Sequence, residues 1–522
     1  MILLRVLLLL IAICPLAARA DDDPFAGLAG GYEDIRRAVD ALALSGNPHA
    51  EPAVAALQAG TLFVAPDRSL WIRQDGTLTN ARTGDPGTPD GDLKRVRVNN
   101  AVRRSIEAAM GALTLFSHDP ARRMKAAADL FAQHDAAALP ALDRALANEQ
   151  DPAVRTALQQ ARAAALLSAG TAPVPDRLAA IAVLRARGDL DASNLLASLS
   201  GQPPAVAAAA SAAVTAIARV QQLWALVQAV FYGLSLGSVL LLAAAGLAIT
   251  FGVMGVINMA HGEMVMIGAY TTFVVQQVIA TSLPALSGVG VLLAVPAAFL
   301  VAGAVGIAIE RLLIRFLYGR PLETLLATWG LSLALQQAVR SIFGASNRNV
   351  TTPGWMSGAA EWGGLTITFN RLYIIVFAVL VLVALMAVLR FTALGLQMRA
   401  VTQNRRMAAA MGIRTPWIDA LTFGLGSGVA GMAGVALSQI DNVSPNLGQG
   451  YIIDSFMVVV FGGVGNLWGT LVSALTLGIV NKFLEPLAGA VLAKILVLVL
   501  LILFIQRKPR GMFPLKGRAV EA

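Results

Sequence analysis

Residues 224–250, WALVQAVFYGLSLGSVLLLAAAGLAIT, form an uncharged and largely apolar stretch that is long enough to cross a lipid bilayer as a helix. A hydrocarbon core about 30 Å thick requires about 20 apolar residues per helical crossing. Similar stretches, separated by short loops rich in Arg, continue from Leu223 to Ile505. A soluble fold would need polar faces and an outer-membrane barrel would need alternating strands, so the sequence predicts an all-α polytopic membrane protein.

The apolar stretches predict about nine membrane spans. Their approximate bounds are 224–250, 260–281, 288–311, 324–344, 372–390, 418–438, 452–467, 470–485 and 488–505. Near the end of this region the glycine-rich segment Gly462–Asn466 interrupts the pattern, which is typical of a broken or re-entrant helix.

The N-terminus has the features of a secretory signal peptide. Arg5 precedes the apolar run Val6–Cys14, and the small residues of Ala18–Ala20 provide a cleavage position, so residues 1–20 are expected to be removed. A signal anchor that stays in place is the alternative. Cleavage would leave residues 21–221 outside the cytoplasm and would remove the only cysteine of the chain, so the mature protein is expected to have no disulfide.

Residues 21–221 are charged and rich in Ala, which predicts an exported, mainly helical domain. Asp119-Pro120 and Asp151-Pro152 each mark a helix start, because Asp caps a first turn in which Pro is tolerated. Their spacing is typical of a HEAT-like α-solenoid, and an ordinary helical bundle with a chance repeat is the alternative. The β-prone residues between Gly60 and Val98 predict a small β element. No residue pattern in this domain indicates its role.

Basic residues are divided unevenly between the loops that join the spans. The loops in 311–320, 390–414 and 507–518 hold most of them, whereas the alternate loops hold chiefly Arg348 and Arg371. By the positive-inside rule the first set is cytoplasmic, which agrees with an exported N-terminus and nine spans. The net charge of +9 is therefore explained by membrane orientation and does not indicate nucleic acid binding.

Polar groups lie between the first two apolar stretches, in the sequence GVINMAHGE of residues 255–263. Asn258, His261 and Glu263 are costly to bury in a membrane unless they are paired or face a water-filled cavity, so they are candidates for a translocation pathway. A cytoplasmic turn in which Asn258 caps the next helix is the alternative. The further polar candidates for the pathway are Asp441, Asn442, Asp454 and Asn466. For the first two of these, a solvated turn is the alternative.

Several motifs, in order along the chain, resemble those of branched-chain amino acid and urea ABC transporter permeases. They are GLSLGS (233–238), INMAHGE (257–263), MIGAY (266–270), MRAV (398–401), AAMGI (409–413) and FGGVGNLWGT (461–470). The resemblance implies a permease domain at 222–515 with a cytoplasmic tail at 516–522. It also implies a second permease subunit, two ATP-binding subunits and a periplasmic solute-binding protein as partners, and no cofactor.

The arrangement of domains bears on the substrate. A signal peptide and a large exported domain before the permease resemble the urea-type subunit, whereas the amino acid permeases begin almost at their first span. Urea, delivered by a periplasmic urea-binding protein, is therefore the preferred substrate in the inner membrane. A branched-chain or other amino acid is the alternative substrate, and a passive channel for small solutes is the alternative from a different class.

A short basic helix is expected in the loop between the fifth and sixth predicted spans. By resemblance it is the coupling helix that docks on an ATP-binding subunit, with an apolar face at Ala408–Met411. Its residues are Arg405, Arg406, Met407, Ala408, Ala409, Ala410, Met411 and Gly412. A basic loop that only fixes the topology is the alternative. The chain has no phosphate-binding G-x-x-x-x-G-K-[ST] loop, so a partner must hydrolyse ATP and the chain itself is not expected to be an enzyme.

Two glycine motifs fit enzyme signatures only superficially. GLSLG (233–237) fits G-x-S-x-G and GSGVAG (426–431) fits G-x-G-x-x-G, but both lie inside apolar stretches. Because neither has the strand–turn–helix context that these signatures require, both are predicted to be small-residue packing faces.

Overall fold

The computed structural model describes residues 23–513 except 46, 48, 75, 90 and 118. The predicted signal peptide and cytoplasmic tail lie outside the described residues. The chain divides into two compact units between Gln221 and Gln222. The functional domains assigned to these units stay predictions.

The first unit is mainly helical. Its elements are α1 Pro24–Gly27, α2 Tyr32–Ser45, α3 Ala50–Ala59, β1 Leu62–Val64, β2 Leu70–Gln74, β3 Thr77–Asn80, β4 Lys94–Arg95, α4 Asn100–Thr114, α5 Pro120–Gln133, α6 Leu139–Asn148, α7 Pro152–Ala169, α8 Val174–Arg187 and α9 Leu190–Ala197. The strands form one antiparallel sheet in the order β3-β2-β1-β4, in which Phe63 pairs with both Trp71 and Arg95. The predicted small β element is thus a four-stranded sheet.

Two aspartates begin helices in this unit as predicted. Asp119 accepts a hydrogen bond from the Ala121 backbone N–H at 2.9 Å, and Asp151 accepts one from Ala153 at 2.8 Å. In both helices, α5 and α7, Pro occupies the first turn, where no N–H donor is needed. The helices α5–α9 enclose an apolar core, and their HEAT-like arrangement stays a prediction.

The second unit is built from long helices. Its elements are α10 Pro204–Met254, which begins in the first unit, α11 His261–Ser282, α12 Gly290–Leu312, α13 Pro321–Phe343, β5 Ala359–Trp362, β6 Leu365–Thr368, α14 Phe369–Phe391, α15 Ala393–Gln403, α16 Arg405–Ala410, α17 Thr415–Leu437, α18 Leu447–Gly462 and α19 Leu467–Arg507. Among the described residues, six helices are long and apolar enough to cross a membrane, namely α10, α11, α12, α14, α17 and α19.

The predicted spans at 324–344 and 452–467 fall on helices that are not among these six. The first lies on α13, a 23-residue helix with a line of buried polar residues. The second lies on α18, which has only 16 residues and ends at Gly462. The segment after Gly462 is a turn into α19, so it is a break between two helices.

Helix α19 folds back on itself. Gly489 has a non-helical backbone with φ 78° and follows Pro486, so the 41 residues form two helical halves. Gly469, near the start, packs on Gly462, while the ring of Phe504, near the end, meets the ring of Phe461 edge to face with centroids 4.8 Å apart. A straight helix would separate positions 469 and 504 by about 50 Å. Both ends of α19 therefore lie beside the end of α18, and the predicted spans 470–485 and 488–505 fall on opposite halves.

Helix α17 is the centre of the second unit, and its glycines allow close packing. A Cβ at Gly426 would lie 2.6 Å from the Gly246 carbonyl oxygen of α10. Gly431 likewise meets Ala298 of α12, and Gly434 meets the backbone of α11. These contacts confirm that GSGVAG is a helix-packing face.

The G-x-S-x-G motif is also a packing face. It lies in the interior of α10, where a Cβ at Gly233 would be 2.6 Å from the Cα of Ile479 and one at Gly237 would be 2.8 Å from the Ala474 carbonyl oxygen. Both partners belong to the first half of α19. A nucleophile elbow is excluded because the serine lies inside a continuous helix and not at a strand-to-helix turn.

Candidate functional site

A break between α10 and α11 brings polar side chains into the second unit. Helix α10 ends at Met254, and Gly255 takes a positive φ of 67° that favours glycine. The chain then runs without regular structure until α11 begins at His261. As a result Asn258, His261 and Glu263 are each only 1% exposed.

Glu263 is held by neutral hydrogen-bond donors. The Ser332 hydroxyl and the Gln336 side-chain amide, both on α13, donate to its Oε1 at 2.8 Å. Its Oε2 is buried and has no partner among the described residues. One carboxylate oxygen is therefore available to another donor.

His261 and Asn258 each leave one buried atom without a described partner. His261 Nε2 lies 2.9 Å from the Ala243 carbonyl oxygen of α10, which can only accept, so Nε2 carries the proton and Nδ1 of the neutral ring is an acceptor. Asn258 Oδ1 accepts from the Ala260 backbone N–H at 3.0 Å, which precedes α11, and its Nδ2 has no partner among the described residues. The N-cap of α11 is Ala260, which has no side-chain cap, so Asn258 does not cap this helix. We call Asn258, His261 and Glu263 the polar cluster.

Sequence reasoning missed the helix that faces this cluster. Four polar residues of α13 are buried at a spacing of four residues: Thr324, Thr328, Ser332 and Gln336. This spacing places them on one face, and the Thr328 hydroxyl also accepts from the Met259 backbone N–H at 3.2 Å. The signal was present as a polar i, i+4 line within an apolar stretch.

The other predicted pathway residues have no described hydrogen bond to the polar cluster. Asp454 of α18 accepts from the Lys494 ammonium of α19 at 3.0 Å. Asn466 caps α19 and donates to the Phe513 carbonyl oxygen at 3.1 Å. Asp441 and Asn442 are exposed in the turn between α17 and α18.

The predicted coupling helix is the short helix α16. Asn404 caps it by accepting from the Met407 backbone N–H at 3.0 Å, and it ends before Gly412. Its exposed apolar side chains are Met407, which is 60% exposed, Ala409 and Ala410. Met411, which follows its last residue, is 77% exposed. Ala408 is only 5% exposed because it packs into the core of the unit, so its predicted place in an outward apolar face was wrong.

Arg405 joins α16 to the rest of the unit. Its guanidinium Nη1 donates to Asp419 Oδ1 at 3.2 Å, and its Nη2 contacts Asp419 Oδ2. The Asp419 side chain, on α17, is fully buried. The Arg405 guanidinium also lies 4.9 Å from the centre of the Tyr318 ring, and the Tyr318 hydroxyl donates to Glu310 at 3.2 Å.

In the part of the chain that the structure describes, six long apolar helices with a buried polar cluster among them are typical of a multi-pass membrane protein, in which such polar groups indicate a functional site. A family described as "Branched-chain amino acid transport system / permease component" matches residues 229–505, which is more than half of the chain. The chain belongs to this family. Members are ABC transporter permease subunits, which are not enzymes themselves and work with ATP-binding and substrate-binding partners.

Individual relatives match the same part of the chain. The permease protein LivH of the high-affinity branched-chain amino acid transport system of Escherichia coli (strain K12) is 32% identical over 298 residues, which are 54% of this chain and 94% of that protein. The corresponding protein BraD of Pseudomonas aeruginosa is 32% identical, over 53% of this chain and 92% of its own length. The ribose import permease protein RbsC of Escherichia coli is 29% identical over 25% of this chain and 44% of its own. No solved structure gives a significant match.

Proposed function

We propose that the chain translocates urea across the bacterial inner membrane by alternating access, as one of two permease subunits in an importer driven by two separate ATP-binding subunits. A periplasmic urea-binding protein would deliver the solute. Branched-chain amino acids are the second candidate substrate. The chain matches almost the whole length of LivH and BraD, which are permease proteins of branched-chain amino acid transport systems.

The polar cluster is the observation that supports an uncharged amide as substrate. Urea has a carbonyl oxygen, which suits the Asn258 amide donor, and N–H groups, which suit Glu263 Oε2 and His261 Nδ1. The hydrogen bonds of the cluster among the described residues involve no Lys or Arg that could receive the carboxylate of an amino acid. The match of donors and acceptors therefore favours urea.

Uptake in a strain that lacks the gene tests the substrate. Labelled urea and labelled leucine are supplied separately, and the wild-type chain is returned on a plasmid. We expect urea uptake to be lost in the strain that lacks the gene and to be restored by the plasmid. Leucine uptake should be the same in both strains. Loss of leucine uptake alone would assign the chain to the second candidate.

We further propose nine crossings, with the exported unit in the periplasm and the C-terminus in the cytoplasm. The crossings would be the six apolar helices with α19 counted as two, together with α13 and α18. This arrangement puts α16 on the cytoplasmic side. Single cysteines at Gln403 and Gly412 should react with a membrane-impermeant reagent only after the cells are opened, and labelling of intact spheroplasts would reverse the orientation.

The exported unit, which we expect to be a HEAT-like solenoid beside its sheet, would help to position the solute-binding partner. A cavity of about 520 Å³ lies beside β4, with Lys94, Arg95 and Arg97 among its lining residues. These exposed cations would suit acidic residues of a partner. Reversing Lys94 and Arg97 to Glu should lower uptake, whereas the same change at exposed Lys125 should not. Unchanged uptake after removal of the whole unit, with a substitute signal, would refute this role.

A further inference from the structure

The docking helix α16 and the central helix α17 share one ion pair, in which the carboxylate is buried and the guanidinium is partly exposed. Both oxygens of the fully buried Asp419 carboxylate contact the Arg405 guanidinium. If either partner moved away, Asp419 would become an unpaired charge inside the protein, which is strongly unfavourable. The two side chains are therefore expected to stay together when either helix moves.

The same arginine reaches a second helix. Its guanidinium stacks on Tyr318, whose hydroxyl donates to Glu310, and Glu310 is 1% exposed near the end of α12. A planar guanidinium can pair with a carboxylate through two nitrogens and stack on a ring at the same time, whereas a lysine ammonium cannot. Arg405 thus contacts α17 directly and is linked to α12 through Tyr318, and α12 and α17 pack extensively on each other.

Helix α17 leads from this ion pair to the polar cluster. Gly426 follows Asp419 by seven residues, so it lies two turns away on the same face, at a rise of about 10 Å. At that level Gly246 of α10 lies between α17 and His261: a Cβ on Gly246 would clash with the Gly426 carbonyl oxygen and lie 3.0 Å from His261 Cε1. A shift of α17 would therefore press on the backbone beside His261.

We propose that the Arg405–Asp419 pair is the mechanical link through which movement of α16 displaces α17 and rearranges the polar cluster at Gly426, Gly246 and His261. The proposal rests on the proposed function, since an ATP-driven partner must push α16. Arg405 and Asp419 are then positioning residues, because neither belongs to the cluster that would contact the solute.

The test measures a response at the cluster and does not depend on the solute. A reporter cysteine replaces Met259, which is half-buried beside the cluster, and Cys14, the only native cysteine, becomes Ser. The chain is assembled with its ATP-binding partners, and the rate of labelling by a small maleimide is compared without nucleotide and with ATP and vanadate. The main variant combines R405Q with D419N, which leaves a neutral hydrogen-bonded pair and no unpaired charge.

The parent chain carries only the M259C and C14S changes. In this parent we expect nucleotide to change the labelling rate of the reporter cysteine several-fold. The double variant should still copurify with the ATP-binding partners but should lose at least four-fifths of this response. The matched control is Arg414→Ala, an exposed arginine with no described side-chain partner, which should respond as the parent does. A full response in the double variant, or none in the parent, would overturn the proposal.

If the double variant does not assemble with the ATP-binding partners, a second variant tests the Arg405–Asp419 link. Arg405→Lys keeps the charge but loses the two-point contact and the stacking. A reduced response supports the link, and a parental response overturns it. Because no uptake is measured, a wrong choice of substrate would leave this result unchanged.

Discussion

Two buried carboxylates of the second unit differ in how they are held. Glu263, at the start of α11, receives only neutral donors and leaves Oε2 without a described partner. Asp419, at the start of α17, has both oxygens in contact with one guanidinium. The difference separates a carboxylate with one oxygen open to a new donor from a carboxylate whose two oxygens already share one partner.

Removing the guanidinium should have the largest effect. Arg405→Ala leaves the fully buried Asp419 unpaired and is expected to lower the free energy of unfolding by about 3 kcal/mol. Asp419→Asn should cost less, because the Arg405 side chain is 43% exposed and can reach water. Thermal unfolding of the detergent-solubilised chain measures both. The reverse order of the two effects would contradict a fixed pair.

A third carboxylate, Glu149 in the first unit, tests how such a pair behaves when the carboxylate also accepts backbone hydrogen bonds. The Arg123 guanidinium donates to both of its oxygens, at 2.7 and 2.9 Å, and lowers the pKa of Glu149. The resulting stabilisation is present above the unfolded pKa of about 4.3 and is lost as the pH falls through the lower folded value.

Glu149→Gln should therefore destabilise the helices α5–α7 by about 2 kcal/mol at pH 7, and the difference from wild type should shrink toward pH 3. Hydrogen exchange of α5 in the full chain, compared between wild type and variant at each pH, measures this. A difference that does not change with pH would show that the carboxylate charge is not what stabilises these helices.

A substitution at Glu263 tests whether its free carboxylate oxygen takes part in transport. Glu263→Gln keeps an acceptor for Ser332 and Gln336 but replaces the free oxygen with a donor. We expect normal abundance in the membrane and at least a tenfold loss of urea uptake, equivalent to about 1.4 kcal/mol. Normal urea uptake by this variant would show that Glu263 Oε2 is not needed for transport.

The smallest effect on stability is expected at Met411, which follows the last residue of α16. Met411 is 77% exposed, so Met411→Ala should change the free energy of unfolding by no more than about 0.5 kcal/mol while reducing copurification of the ATP-binding partners. The control is Leu322→Ala, an equally exposed apolar side chain at the start of α13. Equal copurification for both variants would argue against a docking role for Met411.

Local sequence signals predicted local structure well. Asp119 and Asp151 cap helices because both the cap and its donors lie within three residues, and the glycines of 426–431 pack because small residues permit close approach. The partners of Glu263 and Asp419 could not be predicted, since they lie 69 and 14 residues away and depend on how helices pack. The burial of Ala408 could not be predicted either, because a helix of six residues is too short for a hydrophobic periodicity that identifies its buried side.

The shortness of α18 has a consequence for the distance that this helix can span. Sixteen helical residues rise about 24 Å, less than the hydrocarbon thickness of about 30 Å. Neighbouring helices bury much of α18, so protein and not lipid can surround the missing length. If α18 crosses the membrane as proposed, one of its ends lies below the level of the lipid headgroups, and a solute moving along it would have a shorter distance to cross.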